Sequence, residues 1–141
     1  GEPTNFLVGC ALNPSAEDLG LELDRFRRKL EAGADFVMTQ PLYDMETLLD
    51  TLARVGRVEV PILLGILPLQ SARHAEYLHN EVPGITIPEW ARERMRRAGE
   101  RGIQEGVALA REFLEDARSH VQGVYLMPSF GRFEQCAEIL R

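Results

Sequence analysis

The sequence has little of several features that would assign a protein to a functional class directly. Its 141 residues include a single lysine, Lys29. The formal net charge is −6, and this negative charge argues against a nucleic-acid or polyanion binder. No run approaches the roughly 18 to 20 consecutive apolar residues of a membrane span, and no basic-then-apolar leader is present. We therefore expect a cytoplasmic protein that binds no membrane.

Metal-binding patterns are also lacking. The two cysteines, Cys10 and Cys136, lie far apart without a CxxC spacing, and the three histidines share no common spacing. We expect free thiols and no metal site. The apolar fraction of 45% is enough for one core, so residues 1–141 are interpreted as a single domain. The first residue is not Met, which suggests a fragment or a processed chain.

Apolar runs and helical periodicities alternate along the chain. Short apolar runs bounded by turn residues predict strands buried on both faces, at residues 5–11, 36–40, 60–67 and 123–127. Amphipathic periodicity predicts helices over residues 15–32, 44–56, 71–80, 85–95, 103–117 and 133–140. Strands that alternate with helices indicate right-handed βαβ units and an α/β fold with a parallel sheet.

Local signals predict where the first two helices begin and which residues they bury. Ser15 is expected to cap the first helix, with Asp18 in the capping-box position. Asp44 is interpreted as the cap of the second helix rather than a catalyst. Three leucines of that helix are expected to face the core, namely Leu48, Leu49 and Leu52.

The number of strands suggests a larger architecture. A complete (βα)8 TIM barrel takes about 250 residues, so four βα units are typical of its C-terminal half. A small doubly wound domain is the alternative. The first predicted strand is followed by "GCALNP" rather than GxGxxG, so a dinucleotide site of the Rossmann type is not supported.

Uncharged polar groups follow the predicted strands at the end where such folds bind ligands. Thr39 and Gln40 end the second strand, and the carboxamide of Gln40 suits the edge of a pterin or nicotinamide, or else caps nearby backbone groups. Phe130 suits a pocket wall, while Arg132 suits an anion contact or a helix-terminal charge. No Asp, Glu, His or Cys stands in the last residues of these strands, so we assign no general acid or nucleophile.

Four segments together resemble the methylenetetrahydrofolate reductase family: "AGADFVMTQPLYD", "PILLGILPLQS", "ITIPEW" and "GVYLMPSFGRFE". The last is more similar to the reductase domain of bifunctional proteins that also carry a homocysteine methyltransferase domain. The resemblance implies a TIM barrel that binds FAD and reduces 5,10-methylenetetrahydrofolate to 5-methyltetrahydrofolate with NAD(P)H. This reaction belongs to one-carbon and methionine metabolism.

The resemblance also implies roles for individual residues. Gln40 matches the glutamine that contacts both substrates, with Thr39 beside it. His74 stands where stand-alone enzymes have a folate-contacting Gln, and Arg132 is shifted by about one residue from the family arginine, next to Phe130. "CALNP" lacks the Tyr-Pro and His of the family.

On the cofactor side, the resemblance points to one helix. Arg28 and Lys29 match a basic pair near FAD, although a solvated helix face is the alternative from the sequence alone. Glu22 and Arg25 stand at positions of polar FAD contacts, with different residue identities from the family.

The resemblance places the catalytic carboxylic acid and the flavin-tuning Asp in the first half of the barrel, so no catalytic residue is assigned here. We expect the isolated chain to be inactive, with the missing N-terminal half as its partner. A non-catalytic half-barrel that pairs with itself, with or without flavin or pterin, is the alternative. A corrinoid methyltransferase would need acidic strand-end residues that this sequence lacks.

Overall fold

The computed structural model describes residues 4–141 and contains one parallel sheet of four strands. The strands are β1 Gly9–Leu12, β2 Phe36–Pro41, β3 Ile62–Ile66 and β4 Gly123–Leu126. Their spatial order is β1-β2-β3-β4, and every neighbouring pair is parallel. The α/β class and the parallel sheet predicted from the sequence are therefore confirmed.

Six helices connect and follow these strands. They are α1 Leu19–Glu31, α2 Met45–Val55, α3 Ala72–Glu81, α4 Glu89–Ala98, α5 Gly102–Ala117 and α6 Phe133–Ile139. Short 3₁₀ turns lie at Gly99–Arg101 and Ser129–Gly131. Because consecutive strands are also neighbours in the sheet, the arrangement is that of successive βα units, consistent with part of a (βα)8 barrel.

Two apolar clusters hold these elements together. The larger lies between the sheet and helices α1, α2 and α5, where Val37, Leu64 and Phe26 are almost fully buried. The smaller joins α3, α4 and α5 to the segment after β3 through Leu69, Leu78, Ile87, Met95 and other residues. The second cluster fixes α3, which begins at the carboxyl end of the sheet.

Two strand boundaries differ from the sequence prediction, namely the start of β1 and the end of β2. Strand β1 begins at Gly9, where pairing with Phe36 starts, so the preceding apolar residues expected in the strand lie outside the ladder and are exposed. Strand β2 continues through Pro41 instead of ending at Gln40. Met38 pairs with Leu63 and Pro41 with Gly65, which leaves one extra residue on β2, a β-bulge.

Two predictions about helices were wrong. The cap of α1 is Asp18, whose Oδ1 accepts a hydrogen bond of 2.9 Å from Leu21 N, whereas the backbone N of Ser15 donates to Asn13 Oδ1 in the preceding turn. In α2, Leu48 is buried but Leu49 is 43% exposed. Successive helical residues differ by about 100° in direction, so two adjacent leucines do not both face the core.

Helix α5 lies directly against the segment that follows β3. A Cβ atom at Gly106 would lie 1.8 Å from the carbonyl oxygen of Leu69, and one at Gly102 would lie 2.8 Å from that of Gln70. Glycine is therefore required at both positions for this close approach. The contact sets the path of the backbone between β3 and α3, where several predicted site residues lie.

Candidate functional site

The carboxyl ends of all four strands lie at one edge of the sheet, because the strands are parallel. The segments that leave this edge begin at Asn13, Leu42, Leu67 and Met127. Open α/β sheets and (βα)8 barrels place their ligand sites at this edge. The positions of the predicted site residues are therefore described relative to this carboxyl edge.

Thr39 lies inside the sheet rather than on its surface. Its side chain is 2% exposed, and its hydroxyl accepts a hydrogen bond of 3.0 Å from Gly65 N on the neighbouring strand. The hydroxyl of Tyr125 on β4 donates to the carbonyl oxygen of Thr39, and burial raises the pKa of Tyr125. Thr39 thus connects three strands, and its contact with a ligand stays a prediction.

Gln40, the next residue, is exposed at the β-bulge of β2. Within residues 4–141 its carboxamide makes no hydrogen bond. Its exposure follows the regular alternation of the strand, in which the neighbouring Thr39 and Pro41 are buried. The structure therefore leaves a donor and an acceptor available at the carboxyl edge, as the sequence interpretation requires.

His74 and Phe130 come together across the edge, although they are far apart in the sequence. Their ring centroids are 5.6 Å apart with a tilt of 57°. A cleft of about 300 Å³, which we call the His74 cleft, is lined by Gln70, Ser71, Arg73, His74, Tyr77 and Phe130. Burial lowers the pKa of the His74 imidazole.

Phe130 has an unusual backbone conformation for a large residue. Its φ is 57°, in the left-handed region that favours glycine, and its side chain is 80% exposed. Such conformations are strained and occur often at ligand sites. Arg132, two residues on, is exposed just before α6 and makes no ion pair with the part of the chain described here, so it is available to an anion.

Two of the four predicted cofactor contacts converge at the end of β1. Lys29 Nζ donates a hydrogen bond of 2.7 Å to the carbonyl oxygen of Ala11, and it lies 3.9 Å from Glu22 Oε1. Glu22 Oε1 also accepts from Asn13 N at 3.0 Å. These charges therefore fix the turn that leaves β1, and they sit at the carboxyl edge.

The two arginines of this set have different surroundings. Arg25 lines a groove of about 470 Å³ together with Glu22, Asn13 and the turn Pro83–Gly84. Gly84 has a φ of 83°, in the left-handed region that favours glycine, at the turn that walls the groove. Arg28 is outside the groove and donates to Asp24 O of its own helix at 3.3 Å.

Sequence reasoning missed a buried amide pair next to this edge. Gln70 Nε2 donates to Gln135 Oε1 at 2.6 Å, and Gln135 Nε2 donates back to Gln70 Oε1 at 3.0 Å. It also missed Tyr43, whose buried hydroxyl donates to Leu67 O at 3.1 Å. A polar residue such as Gln70, at the end of an apolar strand segment, indicates a buried side chain that needs a hydrogen-bond partner. The sequence does not identify that partner, because it lies 65 residues away.

Other classes of site are not seen in the described part of the chain. Across residues 4–141, no group of three or more His, Cys, Asp or Glu side chains is placed to hold a metal ion. Both cysteines are free and half-buried. No helix between residues 4 and 141 is long and apolar enough to cross a membrane.

Comparisons with known proteins agree on one family. The family model described as methylenetetrahydrofolate reductase matches residues 4–139. The chain is 31% identical over 94 residues to "Methylenetetrahydrofolate reductase 2" of Saccharomyces cerevisiae. This match covers 60% of the chain and 15% of the yeast protein. It is also 30% identical over 82 residues to "5,10-methylenetetrahydrofolate reductase" of Escherichia coli. This match covers 56% of the chain and 27% of the Escherichia coli protein.

A solved structure shares the fold. A protein of Clostridium thermocellum, described as binding two copies of 5-methyl-5,6,7,8-tetrahydrofolic acid, superimposes with a TM-score of 0.72 at 20% identity. The match covers 96% of this chain and 52% of that one. The chain therefore spans about half of a structure with the same fold, and less than a third of either curated relative.

Proposed function

The chain belongs to the methylenetetrahydrofolate reductase family, and from this premise we propose that it is the C-terminal half of a reductase barrel. The parent enzyme reduces 5,10-methylenetetrahydrofolate to 5-methyltetrahydrofolate with NAD(P)H, by way of FAD. A cytoplasmic location and a bifunctional parent, with a methyltransferase domain, stay predictions from the sequence. The observation that carries the proposal is the family match over residues 4–139, together with four successive βα units in a parallel sheet.

Gln40 supports a folate and nicotinamide site at the carboxyl edge. Its exposed carboxamide offers both a donor and an acceptor at the β-bulge, and the edges of pterin and nicotinamide rings require both. The His74 cleft opens at the same edge, between the segment after β3 and the one after β4. Arg132 adds an exposed cation for the carboxylates of a folate.

The groove beside α1 is lined by one cation, Arg25, and by the carboxylates of Glu17, Asp18 and Glu22, so it offers one contact for a phosphate of FAD and acceptors for the hydroxyl groups of FAD. Arg25 is exposed and, among residues 4–141, makes no ion pair, while Asn13 and Gly84 give the groove a narrow polar wall. Lys29 uses one donor on Ala11 O and retains others. Arg25, Lys29 and Glu22 would hold the cofactor, with Arg28 nearby. When bound, FAD would supply hydride transfer between the nicotinamide and the folate.

We propose that the remaining half of the barrel is the partner of this chain and supplies the catalytic acid. The acidic side chains nearest the carboxyl edge already have structural partners, because Asp44 caps α2 and Glu22 binds the turn after β1. The 141-residue chain alone is therefore expected to lack reductase activity.

The Gln40 assignment is tested in the complete enzyme. Gln40→Ala is expected to reduce kcat/KM for both folate and NAD(P)H by about tenfold or more, because one polar contact to each substrate is lost, while flavin stays bound. Gln104→Ala, an exposed glutamine on α5, is the matched control. Unchanged kinetics with both substrates would contradict the assignment.

The cofactor assignment is tested by titrating the 141-residue chain with FAD and following flavin fluorescence. We expect saturable binding that Arg25→Ala weakens and Arg27→Ala, on the exposed face of the same helix, leaves unchanged. Absence of binding would place the flavin site in the other half of the barrel.

A further inference from the structure

The side chain of Tyr125 forms a hydrogen bond two strands away from its own. Tyr125 lies on β4 and pairs with Gly65 of β3, yet its hydroxyl donates to the carbonyl oxygen of Thr39 on β2. Burial raises the pKa of Tyr125, so the hydroxyl keeps its proton at neutral pH and acts as the donor. The contact therefore crosses the whole width of β3.

Gly65 allows this contact because it has no side chain. A Cβ atom at Gly65 would lie 2.8 Å from the hydroxyl oxygen of Tyr125 and 2.8 Å from the carbonyl oxygen of Thr39. Both distances are well below normal van der Waals contact, so any other residue would displace the ring or the carbonyl group. Gly65 does not have a positive φ. The need for glycine at this position therefore comes from the Tyr125 contact and not from the backbone conformation.

Tyr125 and Gln40 lie on the same face of the sheet. The neighbours of Tyr125 on its strand, Val124 and Leu126, pack against the larger apolar cluster between the sheet and the helices. Alternation along β4 therefore turns Tyr125 to the other face. Gln40 is turned to that face in the same way, since both of its neighbours on β2 are buried. The Tyr125 contact thus lies on the face that carries the Gln40 side chain.

The carbonyl group that accepts this hydrogen bond belongs to the peptide unit between Thr39 and Gln40. The β-bulge of β2 lies at the same place and interrupts the regular pairing with β3. The side-chain hydroxyl of Thr39 accepts from Gly65 N at 3.0 Å, while its carbonyl oxygen accepts from Tyr125. Two neighbouring strands therefore hold Thr39. Because a peptide unit is planar, fixing its carbonyl group also fixes the bond that leads into Gln40.

We propose that Tyr125 is a positioning residue for Gln40, because its hydrogen bond to the carbonyl oxygen of Thr39 sets the direction in which the Gln40 side chain leaves β2. The inference rests on the proposed function, in which Gln40 contacts both the folate and NAD(P)H. At a β-bulge the regular ladder is interrupted, and the Tyr125 hydroxyl supplies a hydrogen bond at that point. A carboxamide that is already oriented loses less conformational freedom when a substrate binds, which favours binding.

The hydrogen bond is measured by ¹³C NMR of the 141-residue chain, through the chemical shift of the Thr39 carbonyl carbon. Tyr125→Phe keeps the ring and removes only the hydroxyl, so this signal is expected to move upfield. Tyr43→Phe is the matched control, because the Tyr43 hydroxyl donates to Leu67 O at 3.1 Å and its loss should shift the Leu67 signal instead. An unchanged Thr39 signal in Tyr125→Phe would overturn the inference without any ligand.

The positioning role is measured by a double-mutant cycle in the complete enzyme, with kcat/KM expressed per bound flavin. Tyr125→Phe is expected to lower kcat/KM for both folate and NAD(P)H by about three- to tenfold, because the Gln40 carboxamide is no longer held in place. In the Gln40→Ala background the same change should alter kcat/KM by less than about twofold, since the side chain that Tyr125 positions is gone. Any effect of the control Tyr43→Phe should be the same in both backgrounds.

The outcomes separate this inference from the proposed function. Unchanged kcat/KM in Tyr125→Phe, with Gln40→Ala impaired, would overturn the role of Tyr125 and leave the proposed function intact. A loss that Tyr125→Phe adds in full to that of Gln40→Ala would show that the hydroxyl does not act through Gln40, which also overturns it. Unchanged kinetics in Gln40→Ala with both substrates would contradict the Gln40 assignment and the inference together.

Discussion

At the scale of single residues, two neighbours at the carboxyl edge have different tasks. The hydroxyl of Thr39 is buried and bonded to Gly65 N, while the side chain of Gln40 is exposed. The change of surroundings follows the regular alternation of β2, in which Val37, Thr39 and Pro41 are buried and Gln40 faces the other side. Thr39 therefore supports the site from within the sheet.

The role of Thr39 predicts a stability change. Thr39→Val keeps the shape of the side chain but leaves Gly65 N without its partner, which should lower the free energy of unfolding by about 1–3 kcal/mol in urea denaturation. Thr39→Ser keeps the hydroxyl and should lose about 1 kcal/mol from the missing methyl group. If valine were the more stable of the two variants, this hydrogen bond would not stabilise the sheet.

At the scale of secondary-structure elements, the first helix depends on its cap. Asp18→Ala removes the acceptor for Leu21 N and should destabilise the protein by about 1 kcal/mol. Ser15→Ala is the matched control, since the side chain of Ser15 makes no hydrogen bond among residues 4–141 and its loss should change little. The melting temperatures of both variants test which residue caps α1. A larger decrease in Ser15→Ala than in Asp18→Ala would contradict the assignment of Asp18.

Helices α3, α4 and α5 are joined by a network of ion pairs. Glu76 of α3 accepts from Arg92 and Arg96 of α4, each at 2.8 Å. Arg94 of α4 in turn contacts Glu105 and Glu112 of α5, each at 2.6 Å. The hydrogen bond from Arg92 lowers the pKa of Glu76, and that from Arg94 lowers the pKa of Glu112. One set of ion pairs therefore joins α4 to α3, and a separate set joins α4 to α5.

The lowered pKa of Glu76 gives the stability a dependence on pH. A carboxylate with a folded-state pKa below its ordinary value of 4.5 contributes stability above that value. The contribution is lost as pH falls through the folded-state pKa. Glu76→Gln should therefore be less stable than wild type at pH 7 and approach it below pH about 4 in urea titrations.

The matched control for this prediction is Glu81→Gln. Glu81 lies on the same helix, is exposed, and makes no ion pair within residues 4–141. Glu81→Gln should leave the difference between the free energies of unfolding at neutral and at acidic pH the same as in wild type. A constant difference between Glu76→Gln and wild type across pH would show that the ion pairs do not contribute through the charge of Glu76.

At the scale of the whole molecule, the sheet has two outer strands, β1 and β4. Just before β1, three apolar side chains are strongly exposed, with Phe6 at 78%, Leu7 at 79% and Val8 at 55%. An outer strand with unpaired backbone groups and apolar neighbours favours pairing with another chain or domain. In the parent enzyme that we propose, the remaining half of the barrel would cover this region.

We therefore expect the 141-residue chain by itself to self-associate through the β1 edge. Leu7→Asp places a charge in this apolar patch and should shift the population toward monomer in sedimentation at micromolar concentration. Leu140→Asp, at an apolar residue just after α6 that is 63% exposed, should leave the association unchanged. A wild-type chain that remains monomeric over that range would contradict the prediction.

The order of strands and helices and the parallel sheet followed from the sequence. These features depend on local periodicity and on the handedness of βα connections, which short segments encode. The family resemblance was also present in the sequence, because it rests on ordered motifs such as "GADFVMTQPLYD". The cap at Asp44 agrees with a local signal of the same kind.

Only the tertiary structure decided which of several equivalent local choices is used. Ser15 and Asp18 are both capable of capping a helix, and the hydrogen bond of Glu22 to the turn after β1 accompanies the start of α1 at Leu19. The pairing of Gln70 with Gln135 and the contact of His74 with Phe130 join residues far apart in the chain. They form because the close packing of α5 on the segment after β3 and the parallel pairing of β3 with β4 bring those segments together, which no local pattern specifies.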